Sequence, residues 1–221
     1  DQIWPKSVRE FQRVIPFQAL IADFRLNTVR LAKIKDRGLS PEPKEVSQLA
    51  QERAKDFFVS KQLYCSEAVL VTINHGLGGG MSDELAIRLS STLPEGLAGS
   101  GCLCGALGGA ILALGLFLGR DRPGGRRDRH HALLGTRELH DLFKKRFGAT
   151  CCRVLSRKVK DLPKEHFEQC ADLTGSAAGL ATGIILRERP EIIRQVDYVF
   201  FNKRESKMGS LVRKAVNSVI L

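Results

Sequence analysis

The stretch from Leu97 to Gly119 reads LAGSGCLCGALGGAILALGLFLG and contains no charged residue. Its first part holds two cysteines, Cys102 and Cys104, and its last part is almost entirely aliphatic. Glycines recur at a four-residue step, which places them on one face of a helix, at Gly101, Gly105 and Gly109. Because glycine costs about 1 kcal/mol relative to alanine inside a helix, this stripe indicates that another part of the protein approaches it closely. We interpret the stretch as a loop carrying thiols that leads into a buried central helix.

Two alternatives to this interpretation stay open. The 23 residues of the stretch exceed the about 20 that span a bilayer, and GxxxG steps also occur in paired membrane helices. Against a spanning helix, seven of the 23 residues are glycine. The second alternative is a plain core helix with incidental cysteines, since free cysteine is commonly buried. We favour a helix that presents thiols at its N-terminus, where unpaired N–H groups and the helix dipole favour the thiolate.

The composition is that of an ordinary globular protein except for its charge. With 221 residues, the chain can bury one good core and a smaller appendage. Its formal net charge of +11 predicts attraction to acidic partners, and we expect an acidic redox protein or, second, a peripheral contact with an anionic membrane surface. Basic residues concentrate in residues 30–37, 120–129 and 203–214. They do not alternate with stacking aromatic rings, so we expect no specific binding to nucleic acid.

The sequence constrains compartment and assembly only weakly. It begins at Asp1 and contains no signal-peptide pattern. We expect a soluble protein and favour the cytoplasm, with export after removal of a leader left open. The oligomeric state is undetermined, and a homodimer stays open.

Helical periodicity dominates the chain and predicts an all-α helical bundle with helical extensions at both ends. We expect an N-terminal extension over residues 1–43, a cysteine-bearing domain over 44–190 and a basic tail over 191–221. The extension ends in the linker LSPEP at 39–43, and the tail carries an amphipathic segment from Leu211. Besides the central helix, the predicted helices cover residues 1–38, 44–58, 68–75, 82–93, 136–147 and 164–187. Residues 120–131 are predicted to form a basic surface loop, and residues 196–201 are a short candidate strand.

Six cysteines are the most informative side chains. They occupy four places along the chain, namely Cys65, the pair Cys102 and Cys104, the pair Cys151 and Cys152, and Cys170. Their wide spacing matches no local zinc-finger or ferredoxin pattern, and the chain lacks both CxxC and CxxCH. A helical bundle can still bring such residues together in its core, and we expect the cysteines to converge at helix ends. No nucleophile–base pair and no pair of carboxylates indicates a hydrolase.

The segment 104–109 reads CGALGG and resembles the CGAxxG motif of the C_GCAxxG_C_C family of redox proteins. Members of that family carry four characteristic cysteines. By resemblance of their local sequences, the four correspond in order to Cys65 before SEAVL, Cys104 in the motif, Cys152 in FGATCCR and Cys170 before ADLTGSAAG. The resemblance covers about residues 44–187.

The resemblance implies redox or metal chemistry. Ligation by four cysteines suits [2Fe–2S] and [4Fe–4S] clusters, so we expect an electron-transfer protein that binds an iron–sulfur cluster through Cys65, Cys104, Cys152 and Cys170. Two alternatives stay open: metal-free thiol–disulfide exchange and a structural zinc site of four cysteines. Cys102 and Cys151 each neighbour a family cysteine, and either could be an additional ligand, a resolving thiol or neither. Whether the protein turns over a substrate as an enzyme is left open.

Overall fold

The computed structural model describes residues 42–205, except for the side chains of residues 126–128. This part of the chain is all-α and contains no strand, which confirms the predicted fold class. The predicted helix in residues 1–38, most of the linker and the amphipathic segment from Leu211 lie outside the described residues. The division into extension, domain and tail stays a prediction.

The α-helices follow one another with only short connections. In chain order they are α1 (Pro43–Val59), α2 (Cys65–Gly76), α3 (Asp83–Ser90), α4 (Gly105–Leu118), α5 (Arg126–Phe147), α6 (Cys152–Ser156), α7 (Pro163–Glu188) and α8 (Tyr198–Asn202), with a 3₁₀ helix at Pro190–Gln195 between α7 and α8. Between α3 and α4, residues Pro94–Leu97 form a single turn that contains left-handed residues. The bounds of α1 and α7 differ from the predicted ones by one residue at each end, because their apolar periodicity is strong and proline opens both.

Helix α4 lies at the centre of the bundle and packs against α2, α5 and α7. A Cβ atom added to Gly105 would lie 2.6 Å from Cys65 Sγ, and one added to Gly109 would lie 3.0 Å from the Cα atom of Ser66. These two glycines therefore let α4 approach the backbone of α2, as the stripe predicted, whereas the third glycine of the stripe precedes the helix. Within residues 42–205, the structure has no helix that combines the length and the apolar character needed to cross a bilayer.

The basic loop predicted at 120–131 is only partly a loop. Helix α5 begins at Arg126, ten residues before the predicted start, so the second half of this segment is helical. The reason is local, because no glycine or proline interrupts the chain from Arg126 to Leu134 and arginine is a good helix former. The high density of charged residues in this segment was therefore not a valid sign of a loop.

The strand predicted at 196–201 is wrong. Its aromatic residues belong to α8, and the side chain of Asp197 caps this helix by accepting a hydrogen bond from the N–H of Phe200 at 2.9 Å. Phe201 is fully buried and lies against Gly76 at the end of α2. A short apolar run of this kind suits a strand or a buried helical turn equally well, and here the cap and the packing decide for the helix.

A buried arginine holds the chain after α8 against α1. Arg53 is 1% exposed, pairs with Glu205 at 2.9 Å and donates a hydrogen bond to the carbonyl oxygen of Lys203 at 3.0 Å. Its guanidinium group also lies 3.9 Å from the ring centroid of Phe57. Residues 203–205 of the predicted basic tail are thus tied to α1 through a desolvated charge.

Candidate thiol site

Four cysteines from four separate helices line one cavity of about 880 Å³. They are the four that the family resemblance selected, and all four are free thiols. Cys65 and Cys152 are the first residues of α2 and α6, Cys104 is the N-cap of α4, and Cys170 lies inside α7. The predicted convergence at helix ends therefore holds for three of the cysteines, while the fourth reaches the cavity from within a helix.

Hydrogen bonds fix the start of α2, where the first thiol lies. The N–H of Tyr64 donates to Glu67 Oε2 at 2.9 Å, and Ser91 Oγ donates to Glu67 Oε1 at 2.7 Å. Glu67 is 6% exposed and so acts as a buried link between the first turn of α2 and the end of α3. The N-terminus of this helix is thereby oriented toward the cavity.

A disulfide joins the two cysteines that depart from the family pattern. Cys102 and Cys151 have their Cα atoms 4.4 Å apart, and neither residue lines the cavity. Segments 101–104 and 150–153, which carry them, are also joined by two backbone hydrogen bonds of 2.8 and 3.0 Å. The disulfide therefore crosslinks the segments that precede α4 and α6, close in sequence to the cavity cysteines Cys104 and Cys152.

Burial dominates the electrostatics of the four thiols. Burial, followed by the charges of neighbouring cysteines, raises the pKa of Cys65 to about 12 and that of Cys170 to about 12. Burial raises the pKa of Cys104 against the opposing effect of backbone N–H groups in α4, and burial together with Glu95 raises the pKa of Cys152. N–H groups at the helix starts do favour the thiolates of Cys65 and Cys104, but desolvation is the larger effect, so the pKa of both thiols rises in the metal-free site.

The donor set matches a four-cysteine centre in number and chemical type. Thiolates are the ligands that iron–sulfur clusters and zinc prefer. Among the residues that the structure describes, no group of three or more histidine, cysteine, aspartate or glutamate side chains is arranged to hold a metal ion. The structure therefore brings the four cysteines to one cavity, and metal ligation by them stays a prediction.

Sequence analysis did not single out the turn Pro94–Leu97, which contributes to the cavity wall. Glu95 and Gly96 have φ angles of 58° and 73°, and a Cβ atom on Gly96 would lie 2.7 Å from the Cβ atom of Cys152. Glycine therefore suits position 96 because the backbone is left-handed and the α6 cysteine is close. The Pro-Glu-Gly triplet was a recognisable turn signal, but only the fold shows which side chains it faces.

Fold and site together define an all-α protein with four thiols at one cavity. The family described as "Putative redox-active protein (C_GCAxxG_C_C)" matches residues 63–184, which are 122 of the 221 residues. The chain belongs to this family, as the CGAxxG motif and the order of the cysteines predicted. The matched segment contains all four cavity cysteines. No curated protein and no solved structure matches the chain.

Proposed function

We propose that this protein is an electron-transfer protein that binds an iron–sulfur cluster through Cys65, Cys104, Cys152 and Cys170. The observation that carries the proposal is that the six cysteines fall into two groups with different positions and oxidation states. The four family cysteines are free and line one cavity, while the other two are paired with each other outside it. Four thiols at one cavity match the ligand requirement of a [2Fe–2S] or [4Fe–4S] cluster.

The protein's own groups would stabilise the negative charge of such a centre. Cys65 and Cys104 lie where α2 and α4 begin, so the unpaired N–H groups and the positive dipole ends of these helices lie beside the thiols. Backbone N–H groups of Ser66 and Glu95 act to lower the pKa of Cys65, and those of Ala106 and Leu107 act to lower the pKa of Cys104, against the larger effect of burial. When bound, a cluster would accept and release single electrons.

Thiol–disulfide exchange is the second candidate, and the disulfide itself favours it. Cys151 directly precedes Cys152, and Cys102 lies two residues before Cys104. In this reaction an incoming dithiol would reduce the disulfide to two thiols and become a disulfide itself. The raised pKa values of the cavity cysteines disfavour a role for them as nucleophiles, because the thiolate and not the thiol attacks a disulfide. A structural zinc site would use the same four thiols as a cluster.

Metal and sulfide analysis of matched variants tests the proposal. The full chain would be purified without oxygen, and iron, zinc and acid-labile sulfide would be measured beside the visible absorption. We expect iron and sulfide in the wild-type protein and a loss of most of both in Cys104→Ser. The control is the double variant Cys102→Ser/Cys151→Ser, which removes the disulfide and keeps the four cavity thiols. It should retain most of the iron, although it should unfold more easily, by about 2–4 kcal/mol.

Each of the other outcomes identifies a different function. Zinc without sulfide would replace the cluster with a structural metal site. Thiol–disulfide exchange would be supported if the wild-type protein contains no metal, a dithiol reduces its disulfide, and the oxidised form of that dithiol restores it. Equal loss of iron from Cys104→Ser and from the disulfide variant would show that the ligand assignment is wrong.

We further propose that the partner is an acidic redox protein, with peripheral attachment to an anionic membrane as the second choice. The support is the net charge of +11 together with exposed basic side chains on the described surface. Lys144, Lys145 and Arg146 form an exposed run at the end of α5. Such a surface raises the encounter rate with an acidic protein.

A further inference from the structure

The cavity is larger than four converging thiols explain. Its volume is about 880 Å³, which falls within the range of about 300–1,000 Å³ typical of small-molecule sites. The thiols occupy only part of the wall, and the remaining wall comes from the end of α1, the turn Pro94–Leu97 and the region from α6 to the start of α7. The cavity therefore has room for an organic molecule beside the thiols.

One side of the cavity is aromatic. Phe58 and Phe167 stack with their ring centroids 5.0 Å apart and their planes at 25°, and both are half-buried residues of the cavity wall. Tyr64, which also lines the cavity, is 63% exposed. Large aromatic side chains that remain partly open to a cavity suit a flat ring as ligand, since aromatic pairs stack with an offset or meet edge to face.

The cavity wall also carries an excess of positive charge, and Lys61 Nζ lies 5.5 Å from the ring centroid of Phe167. Lys61, Arg153 and Lys160 line the cavity, and Glu95 is the one carboxylate among its lining residues. Within the described part of the chain, Lys61 and Arg153 have no ion-pair partner, and Lys160 faces only Asp161, at 4.0 Å. A cavity lined by one sign of charge raises the local concentration of ligands of the opposite sign.

A polar group on the wall adds a hydrogen-bonding position. The side-chain N–H of Gln169 donates to the carbonyl oxygen of Leu155 at 3.0 Å, which fixes the amide. Its Oε1 atom is buried and has no hydrogen-bond partner among residues 42–205. A buried acceptor without a partner costs free energy, and a ligand that carries a donor group could satisfy it.

We propose that this cavity binds a small aromatic anion, whose ring lies against Phe58 and Phe167 and whose negative charge lies near Lys61 and Lys160. The inference rests on the proposed function only in that this molecule would be the small-molecule partner of the thiol site. Binding can be measured whether or not a metal is present, so failure of this inference is distinguishable from failure of the cluster proposal.

Two fluorescent probes that differ in charge test the inference on the full chain. The anion is 1-anilinonaphthalene-8-sulfonate, and its uncharged counterpart is N-phenyl-1-naphthylamine. We expect saturable 1:1 binding of the anion. The double variant Lys61→Gln/Lys160→Gln should bind the anion about tenfold more weakly, while its affinity for the uncharged probe should change less than about twofold.

A charge-matched control and an aromatic variant locate the site. Lys144→Gln/Lys145→Gln removes the same charge at the end of α5, outside the cavity, and should leave both affinities unchanged. Phe167→Leu should weaken both probes while circular dichroism shows an intact helical fold. Non-saturable binding, an equal effect of the two lysine variants, or unchanged binding of both probes by Phe167→Leu would each overturn the inference.

Discussion

At the scale of single residues, the chain contains two kinds of cysteine. Cys102 and Cys151 are oxidised and join two loops, whereas the other four are reduced, lie at a cavity and are held as neutral thiols by burial. Neutral buried thiols are inert until a metal replaces their protons. The state of the site is therefore set by desolvation more than by the helix termini on which three of the cysteines lie.

The raised pKa values predict that the metal-free protein loses stability in alkaline solution. An unfolded thiol ionises near 9, whereas Cys65 and Cys170 ionise near 12 in the folded protein. Above pH 9 the unfolded chain has therefore released protons that the folded protein still binds, so the free energy of unfolding falls as pH rises. The slope should reach at most about 1.4 kcal/mol per pH unit for each thiol.

Urea unfolding of the chelator-treated protein between pH 8 and pH 10 measures this slope. The control is Cys65→Ser/Cys170→Ser, which keeps the other titrating groups and removes these two. Its stability should fall less steeply over the same interval. Identical slopes in the two proteins would mean that these thiols are not desolvated.

At the scale of elements, the contact between α2 and α4 positions the site. Gly105 and Gly109 bring the two helices close enough for Cys65 to touch the backbone of α4. Helix α4 is buried because its side chains are apolar, whereas Gly105 and Gly109 determine how closely α4 approaches α2. Close approach of these two helix starts places two of the four thiols on one side of the cavity.

Alanine substitutions at two glycines of α4 separate packing from helix propensity. At position 109 the new Cβ atom would meet the backbone of Ser66, so Gly109→Ala should destabilise the protein by about 1–3 kcal/mol. Gly115 lies in the same helix with open space around it, and Gly115→Ala should be neutral or stabilising by up to about 1 kcal/mol. Thermal unfolding measures both, and equal effects would contradict the close contact.

At the scale of the whole molecule, charge is the most unusual property. The net charge of +11 exceeds what folding around a thiol site requires. Part of it lies in the exposed run from Lys144 to Arg146 and part at the cavity, at Lys61, Arg153 and Lys160. Positive charge at both places is consistent with an anionic small molecule inside and an acidic protein outside.

Salt dependence tests the acidic partner. Electron transfer between the anaerobically purified protein and an acidic flavodoxin should slow roughly tenfold between about 0.05 and 0.5 M salt, because ions screen the attraction between exposed charges. Co-sedimentation with phosphatidylserine vesicles at physiological salt provides the comparison. Vesicle binding without salt-sensitive electron transfer would identify a membrane surface, and not an acidic protein, as the partner. If neither vesicle binding nor salt-sensitive electron transfer is observed, the positive charge serves only solubility.

Local sequence patterns determined much of this protein. The apolar periodicity and opening prolines of α1 and α7 predicted their bounds closely, and the glycine stripe predicted the close contact of α4. The resemblance of four local sequences to the family's cysteine segments selected the four cysteines that line the cavity. The helix bounds and the glycine stripe follow from residues within a few turns of one another, where helical spacing decides which side chains share a face.

The tertiary structure alone decided the features that join distant parts of the chain. Cys102 and Cys151 are 49 residues apart, and their pairing depends on how the loops before α4 and α6 cross. The raised pKa values and the meeting of Lys61 with Phe167 at one cavity depend equally on packing. Spacing along a chain specifies neither burial nor long-range contact, because both are set by the arrangement of complete helices around the core.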